Sequence, residues 1–130
     1  MINWGIIGLG RMGNTFADAI KELKDCKLKA ISSLNKSKLS TFSKKYNVDQ
    51  NYIFSSYDQL INCKDIDAIY ISTLNNTHKD LIIKSIENHK HVLCEKPITI
   101  TEEEINDVYE KVKNSKVIFL EAIAYRFHPI

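Results

Sequence analysis

The sequence predicts an α/β domain built on a doubly wound parallel sheet, and three observations carry the prediction. Six short apolar runs alternate with segments of helical periodicity along the 130 residues. The connections between them are short. A glycine-rich turn, Gly8-Leu9-Gly10-Arg11-Met12-Gly13, joins the first run to the first helical segment. A strand, a crossover helix and a second strand make a right-handed parallel unit, and repeating the unit in both directions winds the sheet. The expected strand order is 3-2-1-4-5-6, with its switch point between the first and fourth strands.

Ile2 to Ile7 is the first strand. In the turn that follows, Gly8 allows the chain to double back, Gly10 lets a ligand approach bare backbone, and Gly13 lets the helix lie close to the sheet. Met12, Phe16, Ile20 and Leu23 fall at helical spacing, so residues 11–24 read as an amphipathic helix over one face. Lys27 to Ser33 is the second strand, and Leu39, Phe42 and Tyr46 mark a helix from Lys36 to Tyr46. Residues 51–54 suggest a short third strand, followed by a short helix carrying Tyr57, Leu60 and Ile61. Asp67 to Ser72 is nearly all apolar, as suits a strand buried on both faces. Asn75, Asn76 and Thr77 are capping types, and a helix begins near His78 with Leu81, Ile82 and Ile86 as its buried stripe. His91 to Cys94 is the fifth strand and ends at Glu95-Lys96-Pro97. Thr101-Glu102-Glu103-Glu104 forms a capping box for a helix to Lys113, and Val117 to Leu120 is the sixth strand.

Composition excludes several function classes. A formal charge of +2 with lysines scattered along the chain describes solvated helix faces, so no nucleic-acid partner is expected. No apolar run approaches the roughly 18 residues of a membrane helix, so no membrane partner is expected. The N-terminus enters a strand without a basic leader region, which makes the cytoplasm the expected compartment. Cys26, Cys63 and Cys94 are widely spaced and lack metal-ligand spacing, so free thiols and no metal are expected.

Ligands of doubly wound sheets bind at the carboxyl ends of the strands beside the switch point. Gly8–Gly13, Thr73–His78 and Glu95–Pro97 all follow strand ends there. The free N–H groups and the dipole of the first helix favour an anion at the glycine turn. Together these features describe a dinucleotide-binding unit; a glycine turn without a ligand is the plain alternative.

With Glu95-Lys96-Pro97 in place, essentially the whole chain resembles the N-terminal Rossmann domain of the glucose–fructose oxidoreductase, inositol dehydrogenase and rhizopine-catabolism oxidoreductase family. The markers are Gly8–Gly13, Ser72-Thr73-Leu74-Asn75 with His78, the run His91–Pro97, and Glu121–Pro129. The last stretch is most similar to the branch containing dihydrodiol dehydrogenases. The resemblance implies NAD(P)-dependent hydride transfer to or from a secondary alcohol or ketone of a sugar, cyclitol or dihydrodiol. It makes Lys96 the catalytic lysine beside the substrate hydroxyl and the nicotinamide. An ammonium there can stabilise a developing alkoxide or relay its proton. It assigns cofactor contacts to Gly8, Leu9, Gly10, Arg11 and Met12 in the turn, and to Thr73, Leu74, Asn75 and His78 after the fourth strand. Glu95 and Lys96 would line the nicotinamide pocket, with Pro97 holding the turn. Tyr125 and Arg126 match residues where the chain leaves the domain, and Arg126 would meet a phosphate or the carboxamide region. Leu74 stands where the family usually has proline.

Cofactor choice is read at the end of the second strand, where NAD enzymes place an acid for the ribose hydroxyls. Here Ser32-Ser33-Leu34-Asn35-Lys36 contains no carboxylate. Related NADP enzymes often carry arginine where Leu34 falls. Without an acid nothing repels a 2′-phosphate, and Ser33 and Lys36 would bind one, with Leu34 a further cofactor contact, so the reading leans to NADP. Residues 1–120 are then the nucleotide domain, and residues 121–130 begin the connection to the family's second α/β domain. That domain supplies the pocket for a small polyol or carbonyl substrate and the usual homo-oligomer interface. The 130-residue chain alone is accordingly expected to bind cofactor with little turnover. The alternative is a stand-alone dinucleotide sensor or interaction module. An S-adenosylmethionine-using domain shares the glycine turn but leaves Lys96 unexplained.

Overall fold

The most apolar strands of the sequence become the middle of the sheet in the computed structural model, which describes residues 1–123. β1 (Ile2–Ile7) lies between β2 (Cys26–Ser32) and β4 (Ala68–Ile71), pairing parallel with both. β3 (Ile53–Phe54) extends the sheet beyond β2, while β5 (His91–Glu95) and β6 (Phe119–Ala122) extend it beyond β4. The order is therefore 3-2-1-4-5-6, with the switch point where the sequence puts it. All four side chains of β4 are buried, as its apolar run requires.

Alternate residues of each strand feed two cores. Ile6, Ile31 and Tyr70 pack under α1 (Arg11–Lys21) and α2 (Lys36–Tyr46). Ile7, Ala30, Ile69, Ile71, Val92 and Cys94 pack under α3 (Tyr57–Ile61), α4 (His78–Glu87) and α5 (Glu102–Lys113). The period-2 alternation of strand side chains thus places the helices on both faces. Among the described residues no helix is long and apolar enough to cross a membrane.

Several boundaries differ from the sequence pattern, each for a local reason. α1 ends at Lys21 rather than at residue 24: the N–H groups of Glu22 and Leu23 turn back to Ala19 and Ile20, and Leu23 stays exposed. β2 begins and ends one residue earlier than expected, because the N–H of Ile2 already bonds the carbonyl of Asp25 and pulls Cys26 into register. β3 shrinks to two residues, because Asp49 Oδ1 accepts the N–H of Asn51 and winds Gln50–Tyr52 into a 3₁₀ turn. β6 starts at Phe119 instead of Val117: Ser115 Oγ accepts the N–H of Val117 and His91 Nδ1 accepts that of Ile118. The strand then runs to Ala122, so Glu121 and Ala122 belong to the sheet rather than to a connection. The capping box forms with one change. Thr101 Oγ1 accepts from Glu104 N–H at 3.2 Å, but the Glu104 carboxylate accepts from Ile100 N–H at 2.9 Å rather than from the cap residue itself.

Candidate functional site

A cleft of about 630 Å³ opens at the carboxyl ends of β1, β4, β5 and β6. Gly10, Arg11 and Met12 line it from the glycine turn, Thr73 and Asn75 from the loop after β4, and Glu95 and Lys96 from the end of β5. These seven come from segments far apart in sequence, and the parallel register brings them to one edge.

The glycines of the turn are there for different reasons. Gly8 has φ +98°, and a Cβ on it would sit 2.8 Å from the backbone of Ser72. Ser72 Oγ also donates to the Gly8 carbonyl at 2.8 Å, latching the turn to the end of β4. A Cβ on Gly13 would lie 2.6 Å from the Gly8 carbonyl oxygen, so α1 could not pack so closely with any other residue. Gly10 is another matter. Its φ of −88° and ψ of −157° suit any residue, and an added Cβ would meet nothing within 4 Å. Nothing inside the protein demands glycine there; a side chain would only fill the cleft. Gly10 is also the N-cap of α1, with no side-chain cap bond and no acid in the first turn, which leaves the helix's first N–H groups for an anion.

Asn14, which the sequence pattern did not single out, holds this turn from behind. Its Nδ2 donates to the Gly10 carbonyl at 2.9 Å, and its Oδ1 accepts from Lys45 Nζ and the Tyr46 hydroxyl of α2. The only sequence cue is an asparagine in the first turn of a helix, which is too common to read.

His78 needs correction as a ligand contact. Its side chain is fully buried. Nδ1 lies 2.7 Å from the Pro97 carbonyl and Nε2 3.1 Å from the Thr73 carbonyl, so the ring ties the β4 loop to the turn carrying Lys96. The reason is position: as the first residue of α4 it points inward, between two loops that both need a polar partner. The Lys96–Pro97 bond is cis. The Thr73 hydroxyl donates to Thr77 Oγ1, which in turn donates to the Leu74 carbonyl at 2.6 Å. Leu74 is exposed, outside the lining, and has φ −64°, the value proline would impose; the loop keeps that geometry without one.

Leu9 is likewise buried in the core under α2, so only its backbone is at the turn. Ser33, Leu34 and Lys36 sit together after β2 but do not line the cleft. Ser33 is buried, and its Oγ accepts from Asn35 N–H at 3.1 Å, so its hydroxyl is partly committed to shaping that loop. Asn35 Oδ1 accepts from Lys38 N–H and caps α2. Leu34 and Lys36 are exposed. Arg126 and Tyr125 lie outside the described residues.

Glu95 has a partner that sequence reading passed over. The hydroxyl of Tyr70, counted there as part of an apolar run, donates to Glu95 Oε1. Burial, and then this bond, push the phenol of Tyr70 well above its ordinary value. The available signal was a hydroxyl in a strand otherwise made of alanine and isoleucine, since a buried O–H must find an acceptor. Cys94 is buried as expected of a strand thiol, and burial pushes its thiol up as well. Among the described residues no cluster of three His, Cys, Asp or Glu could hold a metal ion.

Residues 2–122 match the model of an oxidoreductase family described as having an NAD-binding Rossmann fold. The chain is 30% identical over 129 residues to trans-1,2-dihydrobenzene-1,2-diol dehydrogenase of Xenopus laevis, covering 98% of this chain and 38% of that protein. It is 32% identical over 123 residues to myo-inositol 2-dehydrogenase of Thermotoga maritima, covering 95% of this chain and 36% of that one. The crystal structure of scyllo-inositol dehydrogenase from Lactobacillus casei with bound NAD(H) and scyllo-inositol superposes with a TM-score of 0.92 at 29% identity, over 98% of this chain and 38% of the other. The chain thus spans a little over a third of the length of such relatives.

Proposed function

The chain belongs to the oxidoreductase family with an NAD-binding Rossmann fold, and on that premise we propose that the cleft holds a nicotinamide dinucleotide with its ring at Glu95 and Lys96. Gly10 is the observation that carries this reading. It is a glycine that neither backbone conformation nor packing requires, at the head of a helix whose first N–H groups are uncapped. A pyrophosphate in contact with that backbone needs both features. Arg11 adds positive charge beside it, and Thr73 and Asn75 flank the path towards Lys96.

The bound cofactor supplies the hydride acceptor or donor. Lys96 holds the proton side of the reaction: its ammonium stabilises an alkoxide on the substrate, or passes the proton on. The substrate class is a small polyol or its ketone. The rest of that pocket belongs to the part of the relatives that this chain does not span. A held substrate is a condition of transition-state stabilisation, so the 130 residues bind cofactor and turn over little. At the end of β2 the lack of a carboxylate and the nearness of Ser33 and Lys36 favour NADP over NAD.

Fluorescence titration with NADPH, NADH and S-adenosylmethionine tests this. NADPH is expected to saturate the chain and to bind more tightly than NADH. Lys36→Ala should weaken NADPH by about fivefold, the loss of one charge-assisted contact, and leave NADH unchanged. Saturation by neither reduced nucleotide would favour the interaction-module alternative, whereas a preference for NADH unaffected by the substitution would overturn the NADP assignment alone.

A further inference from the structure

Every side chain of β4 is buried, so its one hydroxyl, that of Tyr70, must be partnered. Tyr70 is 2% exposed, and its hydroxyl donates to Glu95 Oε1 at the end of β5. The parallel register sets Tyr70 opposite Leu93, two residues before Glu95 on the same face, which gives the phenol its reach. The ring has no freedom to follow the carboxylate. It stacks on Phe16 of α1 with centroids 4.1 Å apart and planes 15° from parallel, and Phe16 meets Trp4 of β1 edge-on at 5.0 Å. A rigid aromatic column from β1 to β4 therefore ends in a hydroxyl, and the carboxylate comes to it. Glu95 itself lines the cleft beside Lys96.

Building on the nicotinamide reading above, we propose that Tyr70 is a positioning residue. It fixes the negative charge of Glu95 at the ring end of the cleft, and so sets how much more tightly the oxidised cofactor binds than the reduced one. The oxidised ring is cationic and the reduced ring is neutral. A carboxylate held close by favours the first, whereas one free to swing into water is screened and discriminates less. The phenol remains a donor at neutral pH, since burial and the Glu95 bond both favour its protonated form.

Dissociation constants for NADP⁺ and NADPH, and for NAD⁺ and NADH, are measured on the 130-residue chain and on Tyr70→Phe, Glu95→Gln and the double variant. For the pair that the unaltered chain prefers, the preference for the oxidised form should fall about tenfold in Glu95→Gln. In Tyr70→Phe it should fall about threefold in the same direction, and the double variant should match Glu95→Gln, because the hydroxyl acts only through the carboxylate. If Tyr70→Phe does not fold, Phe16→Leu loosens the seat of the ring and should lower the preference likewise. Equal weakening of both forms with the preference unchanged would mean packing alone and overturn the role of Tyr70. An unaltered chain that binds none of the four nucleotides overturns the nicotinamide reading, and this role falls with it.

Discussion

Gly10 and Gly8 stand two residues apart and answer to different constraints, which substitution separates. Gly8→Ala forces a side chain into φ +98° and to 2.8 Å from the Ser72 backbone, so it should destabilise the fold by about 2 kcal/mol or more. Gly10→Ser meets no atom within 4 Å and supplies an oxygen at an N-cap that lacks one. Its urea-unfolding midpoint should stay level or rise slightly, while reduced-nucleotide binding weakens by at least about tenfold as the side chain occupies the cleft. Binding retained by Gly10→Ser would mean that the space at residue 10 is not the ligand's. Residue patterns marked seven of the residues that line the cleft, because each follows a strand end or a turn signal. Burial of His78 and of the Ser33 hydroxyl was not legible, since it is set by Pro97, Thr73 and Asn35 folding over them.

At the scale of elements, local periodicity and caps were enough for α2 and α5, whose ends lie where the pattern puts them. Misplaced ends include those of β2, β3, β6 and α1; at β3 and β6 single side chains take backbone donors that a pattern of apolar residues cannot reveal, and at α1 the chain turns back onto its own carbonyls. His91 Nδ1 holding Ile118 N–H, 27 residues away, is the clearest case. The end of α4 shows a further device. Lys90 N–H reaches the Ser85 carbonyl and His89 N–H the Ile86 carbonyl, both at 2.9 Å, with His89 at φ 61°. Lys90 then carries its Nζ inward to the carbonyls of Cys63 and Ile66. A non-glycine residue in that left-handed position is a cost, so His89→Gly should raise stability by about 0.5–1 kcal/mol. Chemical denaturation checks it: a higher midpoint with an unchanged slope is expected, and a lower midpoint would show that the imidazole makes a contact worth more than the backbone relief.

For the whole molecule, the buried phenol and thiol govern behaviour in alkali. Tyr70 keeps its proton in the fold above the ordinary value of 10.0, and Cys94 does so above 9.0, burial being the main cause for both. Above those values the unfolded chain releases protons that the folded chain retains. Stability from these groups is therefore complete below about pH 9 and declines as pH rises past it. Urea midpoints between about pH 9 and 11 should fall, and fall less steeply for Tyr70→Phe; an identical slope would remove Tyr70 from the account. The latch between Ser72 and Gly8 spans 64 residues. The glycine bend therefore locks only where β1 and β4 lie side by side. Any fluctuation that frays β4 frees the bend as well, however intact β1 and α1 remain.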